Sequence, residues 1–145
     1  MKYKGLNEDR IFHSNQVAEK CYFLAKKDFN FDEDKARKAW LMGYIHDIGY
    51  RFNSDNHGDI CYNMLVDMID ESDDSNSMLL AIKNHGDPEN IQYWTDWDKI
   101  LNNADMTTSK DGYDISFKER LKDIKQRYGK ESKQYINSKK IIKEL

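Results

Sequence analysis

A single proline, Pro88, and only seven glycines occur in 145 residues. Proline removes a backbone donor and clashes with the preceding helical turn, and glycine in a helix interior is about 1 kcal/mol worse than alanine. Their scarcity leaves long stretches free to coil, and apolar residues recur through those stretches at three- and four-residue steps. From Asp9 to about Phe29 the stripe is Val17, Cys21, Leu24 and Ala25. Asp32 is placed to cap a second helix with Ala36, Ala39, Trp40 and Gly43 inward. Ile60, Cys61, Met64, Leu65, Met68 and Ile69 form the cleanest stripe, and the acidic run 71–76 breaks it. Met78, Leu79 and Ile82 carry a short fourth helix ending near His85-Gly86, with Pro88 stopping any extension. Trp97, Ile100, Leu101 and Ala104 mark a fifth, and Asp111-Gly112 is a turn. Ser116-x-x-Glu119 reads as a capping box opening a sixth helix, with Phe117, Leu121, Ile124 and Tyr128 inward and Gly129 as its stop. A last helix runs from Glu131 to the C-terminus, about 131–145. No stretch alternates with period two for long enough to argue for a sheet. The pattern predicts an all-α fold, a single-domain helical bundle of about six to seven helices over residues 1–145.

A chain of this length buries roughly two-thirds of its unfolded surface, so it can build a core without cross-links. Cys21 and Cys61 are too few for a disulfide framework, and both sit on apolar stripes as packing residues. No apolar run approaches the roughly 18 residues of a membrane span, and Met1-Lys2-Tyr3-Lys4 leads into polar sequence. The expectation is a soluble, cytoplasmic, reduced protein with no membrane partner. The formal net charge of −3 conceals a split: residues 1–105 carry −8 and residues 106–145 carry +5. The basic tail interleaves its charges with apolar residues at helical spacing, so it reads as a solvated helix face. Nucleic-acid binding is not expected, because the rest of the chain would repel a polyanion. Oligomerisation is left open.

The four histidines are His13, His46, His57 and His85. His13 lies within the first helix, one step off its apolar stripe. His46 is followed at once by Asp47 at the end of the second helix, where Gly49 marks a turn. His57 opens the third helix, His85 closes the fourth, and Asp105 ends the fifth. Helices packed around one core can bring these positions to one point. Imidazole and carboxylate together suit Mn²⁺, Fe²⁺, Co²⁺, Ni²⁺ or Zn²⁺ rather than soft metals. An ion held by two His and two Asp keeps positions open for water and a substrate oxygen, and can stabilise charge on a phosphoryl group. Neighbouring side chains on a helix point about 100° apart, so a His-Asp doublet converges only where the backbone turns. Each position also has a plainer role. A histidine near a helix C-terminus is favourable through the macrodipole alone, and Asp105 can be an ordinary terminal residue.

Taken together, these residues resemble the HD-domain metal-dependent phosphohydrolases. That family carries a His, then a His-Asp doublet, then a distant Asp on a bundle of helices. Here they stand as His13 in Arg10-Ile-Phe-His-Ser-Asn-Gln-Val17, His46-Asp47-Ile48-Gly49, and Asp105 in Asn-Asn-Ala-Asp-Met-Thr. The resemblance covers about residues 10–128. It implies a divalent transition metal bound by His13, His46, Asp47 and Asp105. In members with two metals the doublet Asp bridges the ions and two further histidines complete the second site; His57 and His85 occupy those places in order. His57 follows the doublet by only ten residues, a shorter gap than in two-metal members, so it can instead touch a substrate phosphate. Arg51 and Lys83, within a few residues of the proposed ligands, are candidates to hold phosphate, with Lys110 and Arg120 further off. Tyr93, Trp94 and Trp97 can stack a base, though aromatics after a proline loop more often cover a core.

The resemblance implies a hydrolase of a phosphate ester, most naturally of a nucleotide. Metal-bound hydroxide would attack phosphorus, with Asp47 and His46 at the catalytic centre and one ion, or two, as cofactor. The alternative is a catalytically silent module of the same family, acting as a nucleotide sensor or helical interaction protein.

Overall fold

The first helix, α1 (Glu8–Lys27), starts with Glu8 and Asp9 and ends with Lys26 and Lys27, charges that complement the helix dipole at both ends. The structure, a computed structural model, describes residues 8–47 and 72–145. In α1 the face holding Val17, Ala18, Cys21 and Ala25 is buried. After a turn through Asn30, with φ of 55°, α2 (Glu33–Ile45) begins at the expected cap: the Asp32 carboxylate accepts from the Lys35 N–H at 2.9 Å. These two helices make the most extensive pairing among the described elements. Gly43 permits it, since a Cβ there would lie 2.7 Å from Ala18 Cα and 2.9 Å from the Val17 carbonyl oxygen. Across the same seam the Tyr22 hydroxyl donates to Glu33 at 2.8 Å, and Lys26 pairs with that carboxylate at 2.8 Å.

Helix α3 (Asp73–Asn84) begins inside the acidic run that the sequence pattern marks as a break. Ser72 caps it, accepting from the Ser75 N–H at 3.1 Å, and Asp73 and Asp74 sit at the positive end of the dipole. Pro88 does more than stop this helix. It opens a 3₁₀ helix (Pro88–Tyr93), a first-turn position where its missing N–H has no partner to lose. Then come α4 (Asp96–Met106), α5 (Phe117–Tyr128) and α6 (Lys133–Lys143). The Ser116–Glu119 capping box forms as expected, and Gly129, with φ of 93°, ends α5. The fold is all-α. The described residues contain no strand, only an isolated bridge between Thr108 and Asp114.

Helices α1 to α4 supply the core, with Val17, Ala39, Met42, Met78, Ile82, Ile100 and Leu101 at 1% exposure or less. Trp97 packs on Phe31, ring centroids 4.9 Å apart, and so belongs to the core; Tyr93 is exposed. Buried Asn102 of α4 bonds the Asp98 carbonyl at 2.8 Å and accepts from the Gly86 N–H at 3.0 Å, tying the end of α3 to α4. Helix α5 departs from expectation. Of its four apolar residues only Ile124 is buried, and Tyr128 is 51% exposed, because the helix lies at the edge of the bundle against α6. The expected third helix over Ile60–Ile69, Gly49 and Cys61 lie outside the described residues. No helix among the described residues is long and apolar enough to cross a membrane.

Candidate metal centre

Helix ends position this site. His13 sits in the second turn of α1, His46 is the residue that terminates α2, Asp47 follows it in a turn, and Asp105 is the penultimate residue of α4. His46 keeps helical backbone angles (φ −60°, ψ −26°), and the turn after it brings the Asp47 carboxylate back to its own neighbour. Asp47 Oδ2 lies 3.2 Å from His46 Nε2 and 3.5 Å from His13 Nε2. Asp105 Oδ1 lies 2.9 Å from His13 Nε2 and 3.3 Å from His46 Nε2. All four offer a ligand atom, and those atoms lie within 4.8 Å of one another. His85, at the end of α3, faces the other oxygen of Asp47, with its Nε2 3.4 Å from Oδ1. Both imidazoles of His13 and His46 and the Asp47 carboxylate are buried.

The imidazoles are oriented by backbone. Nδ1 of His13 donates to the Ser109 carbonyl at 2.8 Å, that of His46 to Gly43 at 2.6 Å, and that of His85 to Ile82 at 2.5 Å. A carbonyl oxygen only accepts, so Nδ1 carries the hydrogen in all three rings and Nε2 of the neutral ring presents a lone pair. Those lone pairs point at carboxylate oxygens, which also hold only lone pairs. Such an arrangement repels unless a proton or a cation lies among the atoms. The donor set fits a divalent transition metal: atoms bound at about 2.0–2.2 Å from one ion stand about 3–4 Å apart, and the four His–Asp separations run from 2.9 to 3.5 Å.

The protonation energetics follow from the same contacts. Burial alone would push the His46 pKa down, but the adjoining Asp47 carboxylate, with Asp105, holds it well above the usual imidazole value of 6.5. Burial likewise disfavours ionised Asp105, yet its hydrogen bonds to His13 and His46 keep its pKa well below 3.8. In the metal-free protein a proton on His46 therefore stands in for the cation. A raised folded-state pKa contributes stability below the unfolded value and loses it as pH rises through the folded value. Metal-free protein should thus lose thermal stability toward alkaline pH, while a metal that displaces this proton should bind more tightly as pH rises. Melting curves taken from neutral into alkaline pH, with and without Mn²⁺ or Zn²⁺, check this. The metal-induced rise in Tm should grow with pH, and a rise that shrinks would contradict the arrangement.

Among the other expected site residues, His57 and Arg51 lie outside the described residues. Lys83 and Lys110 are exposed. Arg120 is no phosphate ligand in this structure: its guanidinium is occupied by the carbonyls of Asp105, Met106 and Thr108. Cys21 is buried, and burial, with the Asp105 charge, pushes its thiol pKa far up, which suits a packing role. The sequence reading passed over Arg10. Its Nη1 stands 3.6 Å from Asp47 Oδ2 with the side chain 35% exposed, so it reaches the group from the solvent side. Its place one turn ahead of His13 on α1 was the available signal. Ser109 was missed as well, because its part is played by a backbone carbonyl.

The HD-domain family model matches residues 10–144 of the chain, reaching past residue 128 through the C-terminal helix. No curated protein and no solved structure matches the chain.

Proposed function

The chain belongs to the HD-domain family, and from that premise we propose that it is a metal-dependent phosphohydrolase that cleaves a phosphate ester, most naturally of a nucleotide. The observation that carries this reading is the convergence of His13, His46, Asp47 and Asp105 with every Nε2 lone pair turned toward a carboxylate. In it, His13, His46, Asp47 and Asp105 hold a divalent transition metal such as Mn²⁺, Fe²⁺, Co²⁺, Ni²⁺ or Zn²⁺. When bound, such a metal supplies Lewis acidity, activating water and drawing charge from a phosphoryl oxygen. The protein's own groups do the rest. Asp47, whose Oδ1 remains beside His85, positions the attacking water and accepts its proton. His85 is placed either to complete a second metal position with Asp47 or to contact the phosphate. Arg10 holds a phosphoryl oxygen by charge-assisted donation, moving there from Asp47.

The test is a panel of mono-, di- and cyclic nucleotides offered to protein loaded with each of these metals. Metal-dependent release of phosphate, or of a nucleoside monophosphate from a diester, is expected. Protein that neither carries nor takes up a transition metal, and hydrolyses nothing, would favour the silent sensor module. Arg10→Ala should raise KM about 10–150-fold, matching loss of roughly 1.5–3 kcal/mol from one charged hydrogen bond, with metal content unchanged. An unaltered KM would remove Arg10 from the phosphate site.

A further inference from the structure

Helix α4 ends on Asp105 and Met106, where the last carbonyls of any helix lack intrahelical partners and the dipole is negative. A carboxylate here adds charge of the wrong sign. The guanidinium of Arg120, from α5 in the basic C-terminal segment, is lodged at this end. Its Nε donates to the Met106 carbonyl at 3.1 Å, and one Nη donates to the Asp105 carbonyl at 2.6 Å and also to the Thr108 carbonyl. Thr108 is fully buried, its hydroxyl bonded to the Ala104 carbonyl at 2.7 Å. The next residue is Ser109, whose carbonyl fixes the His13 ring at 2.8 Å. One side chain therefore fastens the backbone that carries the Asp105 carboxylate and the backbone that leads to the acceptor orienting His13.

We propose that Arg120 is a positioning residue for the metal centre, setting Asp105 and, through Thr108-Ser109, His13. This rests on the metal reading of that site. The planar fork of arginine spans three carbonyls that a single ammonium cannot, so lysine is not an equivalent here. Loss of a group that orients a metal ligand typically weakens metal binding by about 10–100-fold. It does so without contact to the ion.

The experiment is metal affinity of the full chain, measured by chelator competition for Co²⁺ or Mn²⁺ well below the melting temperature. Arg120→Gln and Arg120→Lys should each bind about 10–100-fold more weakly, with an altered Co²⁺ absorption spectrum. Lys122→Gln, an exposed position on the same helix, should bind like wild type. A role in stability alone would lower Tm and leave affinity and spectrum untouched, and folded Arg120 variants with wild-type affinity overturn the proposal. If both variants fail to fold, the wild-type protein still decides. Titration with Zn²⁺ should shift the Arg120 Nε–H resonance, and a resonance unmoved at saturation overturns the proposal. Wild-type protein that binds no metal defeats the metal reading itself, a result distinct from wild type binding with normal variants.

Discussion

Asp47→Asn is expected to lower metal affinity about a hundredfold or more, beyond the 10–100-fold that loss of an outer orienting group produces, and to abolish hydrolysis with it. Asparagine keeps the volume and one oxygen but removes the negative charge that two buried imidazoles face at 3.2 and 3.5 Å. Its amide nitrogen, if turned toward Arg10 or the metal position, would also point a donor where none can be used. His46→Ala should have the same outcome through loss of a fully buried ligand. The two differ in the metal-free state. Asp47→Asn takes away the main support of the His46 proton, so its pKa should fall toward the ordinary imidazole range. Elemental analysis after purification without chelator, and histidine titration by NMR, check both halves. Full metal content in either variant would move the site elsewhere.

Gly43→Ala should be among the most damaging single-methyl changes in the core. The added carbon would fall 2.7 Å from Ala18 Cα and 2.8 Å from Ala18 N, where about 3.5–4.0 Å is the comfortable separation. Those are backbone atoms, so no side chain can swing aside. Overpacking of this kind costs about 1–3 kcal/mol, or a fall in Tm of roughly 2–12 °C at about 2–4 °C per kcal/mol for a chain this size. The damage reaches the site too, because the Gly43 carbonyl orients His46 at 2.6 Å and α1 carries His13. Metal affinity should therefore drop along with Tm, and Ala18→Gly should not rescue either, since the clash is with backbone. Calorimetry and metal titration that both match wild type would show that the helices can part freely.

What the sequence made legible was local. Asp32, Ser116 and Gly129 act through neighbours three or four residues away, and each was readable as a cap or stop. The His-Asp group was readable because imidazole and carboxylate at helix ends have few structural uses in common. Interactions between distant segments were not readable. His13 meets the Ser109 carbonyl across 96 residues, and that partner is backbone, which leaves no residue signature. Arg120 reads in the sequence as a remote phosphate candidate, because nothing near it reveals that it meets the end of α4. Tyr128 was misplaced for a related reason: helical spacing gives a stripe, but only packing decides whether anything covers it. Ser72 was overlooked because the acidic residues after it read as a break, though they suit a helix start.

The four residues of the centre come from α1, the end of α2 and α4, with His13 and Asp105 separated by 92 positions along the chain. An ion bound there would be a cross-link as well as a reagent, clasping three helices that otherwise hold together by burial and a few side-chain bonds such as Tyr22–Glu33. Its grip enters the folding equilibrium by mass action: once the site is saturated, each tenfold rise in free metal adds about 1.4 kcal/mol of stability. Starved of metal, the chain should be cut more readily by proteases, so its abundance in a cell would track metal supply as well as gene expression.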